Sequence, residues 1–331
     1  MNGLSAASIS GGFRKITNSG DAVLAVINAK TATAGPTTMM TRARLRYSLE
    51  ESATLFMLAG LNSAIIITAN LTDVKTVFFL NIALMTFIFT LPRLQHRWKR
   101  PAMDFLRDWY LLPVLIAVYL QLGVVIPAVN PGEVDEWLIR IDRLFFFGHD
   151  PTVLLEPFAI PPVTELLQIV YASFYLLPLS LCVIVYAKRR REVFHTVVSA
   201  IVIGFYISYI GYLITPAIGP RYTLAYLQNI ELSGLWSFGF IRTMLDQASG
   251  MMRDCCPSGH TMIGIVTFLL AWRYERKFAP VALIWAAVIV FSTVYLRYHY
   301  VIDVLAGFVL AFAFLPLFPL IEKCQFTVRD P

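Results

Sequence analysis

From residue 51 onward, long apolar runs alternate with short polar bursts. A helix needs roughly 20 apolar residues to cross the hydrocarbon of a bilayer. Eight runs reach or approach that length: 52–70, 75–92, 109–129, 163–187, 194–216, 259–273, 279–297 and 299–321. The expected fold class is therefore all-α, a polytopic membrane protein of about eight transmembrane helices. The sixth run is short, and a polar turn at its start would lengthen it. The last two are almost contiguous, which predicts a tight turn near Arg297–Tyr300.

Composition narrows the class. The 331 residues are 57% hydrophobic and only 15% charged, with a mean hydropathy of +0.66. Soluble domains carry about 25% charged residues. So few charges cannot cover a water-facing surface, which excludes an ordinary cytosolic enzyme, a disordered chain and a nucleic-acid binder. The net charge of +6 does not restore the last, because the basic residues fall between apolar runs. The four cysteines form no CxxC pair, so they support neither a zinc site nor a disulfide framework.

Residues 1–50 differ from the rest. They are rich in Ser, Thr, Gly and Ala, with Arg42, Arg44 and Arg46 at their end. No apolar stretch follows an early basic start, which argues against a cleaved signal peptide and for a mobile basic tail. With this tail inside, the inner segments carry 20 of the 27 Lys and Arg residues and the outer ones 7. The positive-inside rule then expects both termini in the cytoplasm. The two long connections, 130–162 and 217–258, become external. The first is acidic, with Asp135, Asp142, Asp150 and Glu156 among its residues. Its Trp137, Leu138, Ile141, Leu144 and Phe145 recur at helical spacing, which fits a helix lying along the interface or packed on the protein.

Ionisable groups near membrane depth are expensive and mark function. Here they gather on one side. Arg221 follows the fifth run, His260 opens the sixth in Pro257-Ser258-Gly259-His260, and His299 and Asp303 open the eighth. His299 and Asp303 are four apart and share a helix face. A carboxylate there can hold one imidazole nitrogen and leave the other to attack. His260 suits protonation of a leaving oxygen. Ser258 and Gly259 precede a helix whose free N–H groups can bind phosphate. Arg221 and Arg297 can grip phosphate oxygens. The set suggests phosphoryl transfer through a phosphohistidine. His96, His149 and His195 are expected to stand outside it.

At these residues the chain resembles the type 2 phosphatidic acid phosphatase superfamily, and within it the branch of inositol phosphorylceramide synthases and related inositolphosphotransferases. That superfamily carries the motifs KxxxxxxRP, PSGH and SRxxxxxHxxxD. The second is intact at Pro257–His260, and the third keeps its ending as His299 and Asp303. The first survives as Gly219-Pro220-Arg221-Tyr222. Ile214 and Thr293 stand where the motifs have lysine and arginine, and Tyr222 stands where they have proline. The likeness covers roughly residues 105–320, including Asp142-Arg143 and Asp150-Pro151-Thr152.

The resemblance implies a six-helix core over 105–321, preceded by two additional helices and a loop at 51–104 and followed by a cytoplasmic tail at 322–331. It implies His299 as nucleophile, Asp303 as its orienting partner and His260 as acid and base. Arg221, Ser258, Gly259 and Arg297 are expected to bind phosphate, with no metal and no cofactor. The expected partners are a membrane lipid substrate and the bilayer, with the active site on the extracytoplasmic side. The expected activity is hydrolysis or transfer of a lipid's phosphate-linked head group, with polyprenyl diphosphate hydrolysis as an alternative. A transporter or a silent lipid-binding protein would fit the composition, but a transporter should place its ionisable groups near the midplane.

Overall fold

A computed structural model describes residues 47–68, 71–249 and 253–329. The basic segment up to residue 46, including the expected mobile tail, lies outside them. Among the described residues the secondary structure is helical, with one isolated bridge between Ala217 and Asp254.

The first hairpin is α1 (Leu49–Thr68) and α2 (Leu71–Trp98). Next come α3 (Pro101–Trp109) and α4 (Leu111–Val129), which together run as one apolar stretch. The first long connection holds α5 (Asp135–Phe145) and the short α6 (Pro151–Leu154). It leads to α7 (Pro161–Ala172), α8 (Leu176–Ala187) and α9 (Arg191–Ile214). The second connection holds α10 (Pro220–Thr223) and α11 (Phe238–Ser249). The chain closes with α12 (Gly259–Tyr274), α13 (Ala279–Tyr295), α14 (Val301–Phe314) and α15 (Phe318–Arg329).

Each expected span coincides with a helix or a helix pair. Among the described residues five helices are long and apolar enough to cross a membrane, counting α3–α4 and α14–α15 each as one, and six if the bent pair α7–α8 counts as one. α12 and α13 have 16 and 17 residues, short of a full crossing by length alone. The run expected as one span over 163–187 bends by 50° between α7 and α8. Pro178 supplies the reason. It has no N–H for the Phe174 carbonyl one turn earlier, and its ring crowds that carbonyl. The bend sets Tyr171, Phe174 and Tyr175 against the site described below.

α12 is central, packing on α8, α9, α13 and α14. The outer surface is apolar: Phe56, Ile67 and Phe79 are 77%, 79% and 63% exposed. Such a surface is stable only against lipid.

The additional hairpin is not peripheral. α1 packs on α4 and α9, and buried Glu50 joins three elements. Its carboxylate meets His195 Nδ1 at 2.8 Å, Ser199 Oγ at 2.5 Å and Gln325 Nε2 at 2.6 Å. Glu51 accepts both arms of Arg107 at 2.9 Å. The stretch from residue 322, expected as a tail, is therefore helical as far as Arg329, with Gln325 buried against α1 and α9.

Candidate active site

The site is assembled where α9, α12 and α14 meet the two long connections. Asp135 fixes the turn after α9, accepting the Ile218 and Gly219 N–H groups at 2.9 Å each and the Tyr300 hydroxyl at 2.8 Å. Asp142 accepts the Val301 and Ile302 N–H groups at 2.9 and 2.8 Å, which caps the start of α14. Both carboxylates lie on the buried face of α5, while Trp137, Leu144 and Phe145 point outward. So α5 packs on the protein through one face and leaves the other exposed. Glu165 gathers the N–H groups of Leu235, Ser237 and Phe238, and thereby seats α11.

Between α13 and α14 the expected turn is present. Arg297 takes a positive φ of 66°, and the Tyr298 and His299 N–H groups both return to the Thr293 carbonyl. This turn aims His299 inward, where it is 4% exposed. Its Nδ1 lies 3.3 Å from the Asp303 carboxylate, and Asp303 is fully buried. Its Nε2 lies 3.3 Å from His260 Nδ1. His260 in turn stacks on Tyr171 and leans on Phe174, with centroids 4.6 and 4.3 Å away. Tyr171 stacks on Tyr298 from its other side at 4.4 Å. The second histidine is therefore held by aromatic rings and not by a carboxylate.

Both histidines line a cavity of about 220 Å³. Its walls include Tyr119, Tyr175, Tyr209, Tyr212 and Arg221, and its rim reaches Ile116 and Leu120 on the outward side of α4. Gly259 faces it at the start of α12. A side chain there would collide with the Tyr212 hydroxyl, so the glycine permits the close approach of α9. Asp254 also lines the cavity and accepts the Tyr119 hydroxyl at 2.6 Å.

The remaining expected residues divide. Arg221 lines the cavity with its guanidinium bound in both arms by Asp246 of α11, at 2.5 and 2.7 Å. Ser258 is buried and caps α12, its Oγ accepting the Thr261 N–H at 3.3 Å, while its own N–H donates to the Asp303 carbonyl at 3.0 Å. Arg297 is not brought to the histidines. Its guanidinium meets Glu156 at 3.0 Å, the Gln228 side chain at 2.9 Å and the Ile230 carbonyl at 2.7 Å. It lines a neighbouring polar cleft with Arg221 and Arg242. The cause is the positive-φ turn, which separates residue 297 from 299 in direction. His96 and His149 are exposed away from the cavity, and His195 belongs to the Glu50 cluster.

Sequence reasoning passed over Cys255. Its thiol donates to Asp303 Oδ2 at 2.7 Å and lies 3.8 Å from His299 Nδ1. Burial and the Asp303 charge push it well above the usual thiol range, so it stays protonated. Its spacing from His260 carried no signal. Tyr171 and Tyr298 were equally silent, because an aromatic residue in an apolar run reads as core.

The PAP2 superfamily matches residues 136–317, more than half of the chain. A PA-phosphatase related-family protein of Dictyostelium discoideum is 35% identical over 98 residues, 29% of this chain and 18% of that protein. The chain thus spans under a fifth of that relative's length. No solved structure matches.

Proposed function

The chain belongs to the PAP2 superfamily, and on that premise we propose that it is a membrane enzyme that hydrolyses or transfers the phosphate-linked head group of a lipid through a phosphohistidine. The observation that carries the proposal is the pairing of His299 with buried Asp303 on one nitrogen and with the cavity and His260 on the other.

In the first step His299 Nε2 attacks phosphorus, and the bond from phosphorus to the leaving oxygen breaks as the N–P bond forms. Asp303 steadies the positive charge that develops on the ring. His260 gives its proton to the leaving oxygen. Neutral His260 then takes a proton from water or an alcohol, whose oxygen attacks phosphorus and breaks the N–P bond. Water makes a phosphatase; an alcohol makes a phosphotransferase of the inositolphosphotransferase kind. Arg221 and the start of α12 at Gly259 hold the equatorial oxygens, and Ser258 holds that helix start by capping it. Arg297 acts from behind, through the loop it ties. The reaction so written needs no metal. The exposed apolar rim at Ile116 and Leu120 gives an acyl chain a way in from the bilayer.

In this reading eight helices cross the membrane, with α12 and α13 spanning despite their length. Both termini are cytoplasmic, and the cavity opens on the extracytoplasmic side.

The test compares wild type with His299→Ala in detergent and EDTA. Phosphatidic acid, a polyprenyl diphosphate, and phosphatidylinositol with ceramide are offered separately. Free phosphate and new phospholipid are both counted. Turnover present in wild type and lost in the variant is expected, and the product chooses the acceptor. Equal activity in the two proteins overturns the mechanism.

A further inference from the structure

Three different ligand types converge behind the nucleophile. Cys255 Sγ, His299 Nδ1 and the Asp303 carboxylate lie within 4.8 Å of one another, and the residues are 4%, 4% and 0% exposed. They come from two segments, the strand-like stretch before α12 and the turn into α14. In tetrahedral zinc sites the bonds are about 2.0–2.3 Å, which puts neighbouring donor atoms roughly 3.3–3.8 Å apart. The separation of Sγ from Nδ1 is 3.8 Å, and that of Nδ1 from Asp303 Oδ1 is 3.3 Å. Two of the three spacings already suit a metal. Asp303 Oδ1 is also buried and accepts no hydrogen bond among the described residues, so apart from the His299 ring 3.3 Å away this acceptor is unused.

We propose that Cys255, His299 and Asp303 form a binding site for a soft divalent cation, zinc or cadmium, and that its occupation silences the histidine. The thiolate selects soft ions over magnesium or calcium. The fourth position opens to the cavity, which Cys255 and His299 both line. Binding displaces one proton, from the Cys255 thiol to water. The metal takes the Nδ1 lone pair, so the one proton of the neutral ring must sit on Nε2. A protonated Nε2 has no lone pair for phosphorus. The same ion replaces a carboxylate that favours positive charge on the ring with a cation that opposes it. The site is thus inhibitory, and the silencing, though not the binding, rests on the catalytic reading above.

The experiment titrates cadmium into the purified protein, with Cys324→Ser throughout to remove the exposed thiol. The expected result is one equivalent bound, seen as a thiolate-to-cadmium charge-transfer band in the ultraviolet, and missing in Cys255→Ser. His299→Ala should keep the band but weaken cadmium binding at least tenfold. In turnover assays zinc and cadmium should inhibit, EDTA should reverse the effect, and Cys255→Ser should raise the half-inhibiting concentration at least tenfold. Each rate is taken relative to the same variant without metal. Serine keeps a donor to Asp303 while losing the soft ligand. If Cys255→Ser does not fold, Cys255→Ala is read by the band alone. A band that persists without Cys255, or equal metal sensitivity in Cys255→Ser, overturns the proposal. A protein that turns over none of the substrates still binds or fails to bind cadmium, which separates the two failures.

Discussion

Gly219 stands directly against the Tyr298 carbonyl: a side-chain carbon added to the glycine would lie 2.8 Å from that oxygen. Gly219 also holds a φ of 93°. The turn after α9 and the turn that aims His299 are therefore fitted to each other through a missing side chain. Gly219→Ala must relax both a left-handed backbone and a collision with main chain, a strain of about 1–3 kcal/mol. The expected outcome is a drop of at least tenfold in kcat with a modestly lowered Tm, because the displaced residue adjoins His299, the proposed nucleophile. Wild-type kcat in this variant would show that the fit of the two turns does not matter.

Asp142 holds the residues that follow the His299 turn, through the Val301 and Ile302 N–H groups. Burial, with Asp303 and Asp150 nearby, pushes its carboxyl up to about 6, against the pull of the Val301 and Ile302 N–H groups. The folded protein thus holds this proton more tightly than the unfolded chain. Its contribution to stability is greatest below about pH 4, declines as pH rises toward 6, and is constant above. The span corresponds to on the order of 3 kcal/mol. Thermal unfolding in detergent between pH 4 and 7 should show this decline, and Asp142→Asn should flatten it. An unchanged slope in Asp142→Asn would locate the titration elsewhere.

Glu50 sits at the far end of the helices. From His195 to Tyr212 along α9 is about 25 Å at 1.5 Å per residue. Glu50→Ala withdraws the carboxylate from His195, Ser199 and Gln325 together. Breaking a buried charged cluster this way costs roughly 3–5 kcal/mol. Tm should fall markedly while the turnover of the protein that remains folded stays near wild type. A large loss of kcat in folded protein would mean that the two ends are coupled.

Arg221 meets Asp246 through two parallel bonds, the geometry that a phosphate would use. Arg221→Ala should lower kcat/KM by about 10²-fold, and Arg221→Lys should recover only part of it, since an ammonium offers no planar fork. Asp246→Asn should weaken the competitor and lower KM. Full recovery by lysine would argue against bidentate contact.

Much was legible in the sequence because membranes impose one-dimensional rules. Run length located the long apolar stretches that fold as helices or helix pairs, though not the short helices of the two long connections, and the near-contiguity of the last two runs placed the turn at Arg297–Tyr300. The four-residue spacing of His299 and Asp303 marked them as a pair, but α14 begins only at Val301 and Tyr300 is extended, so the turn before the helix, and not a helical repeat, brings His299 to Asp303. The acidic character of the first connection was visible. What those acids do was not, because Asp135 and Asp142 act on residues more than eighty positions away.

Spacing along the chain marked His299 and Asp303 as a pair, and apolar length determined that the protein belongs in lipid. Tertiary structure alone decided the rest. It set His260 beside His299, turned Arg297 away to Glu156, buried Gln325 against Glu50 and laid Cys255 on Asp303. Each of these depends on how separate helices and turns pack, and packing is a property of surfaces in three dimensions that local periodicity does not encode.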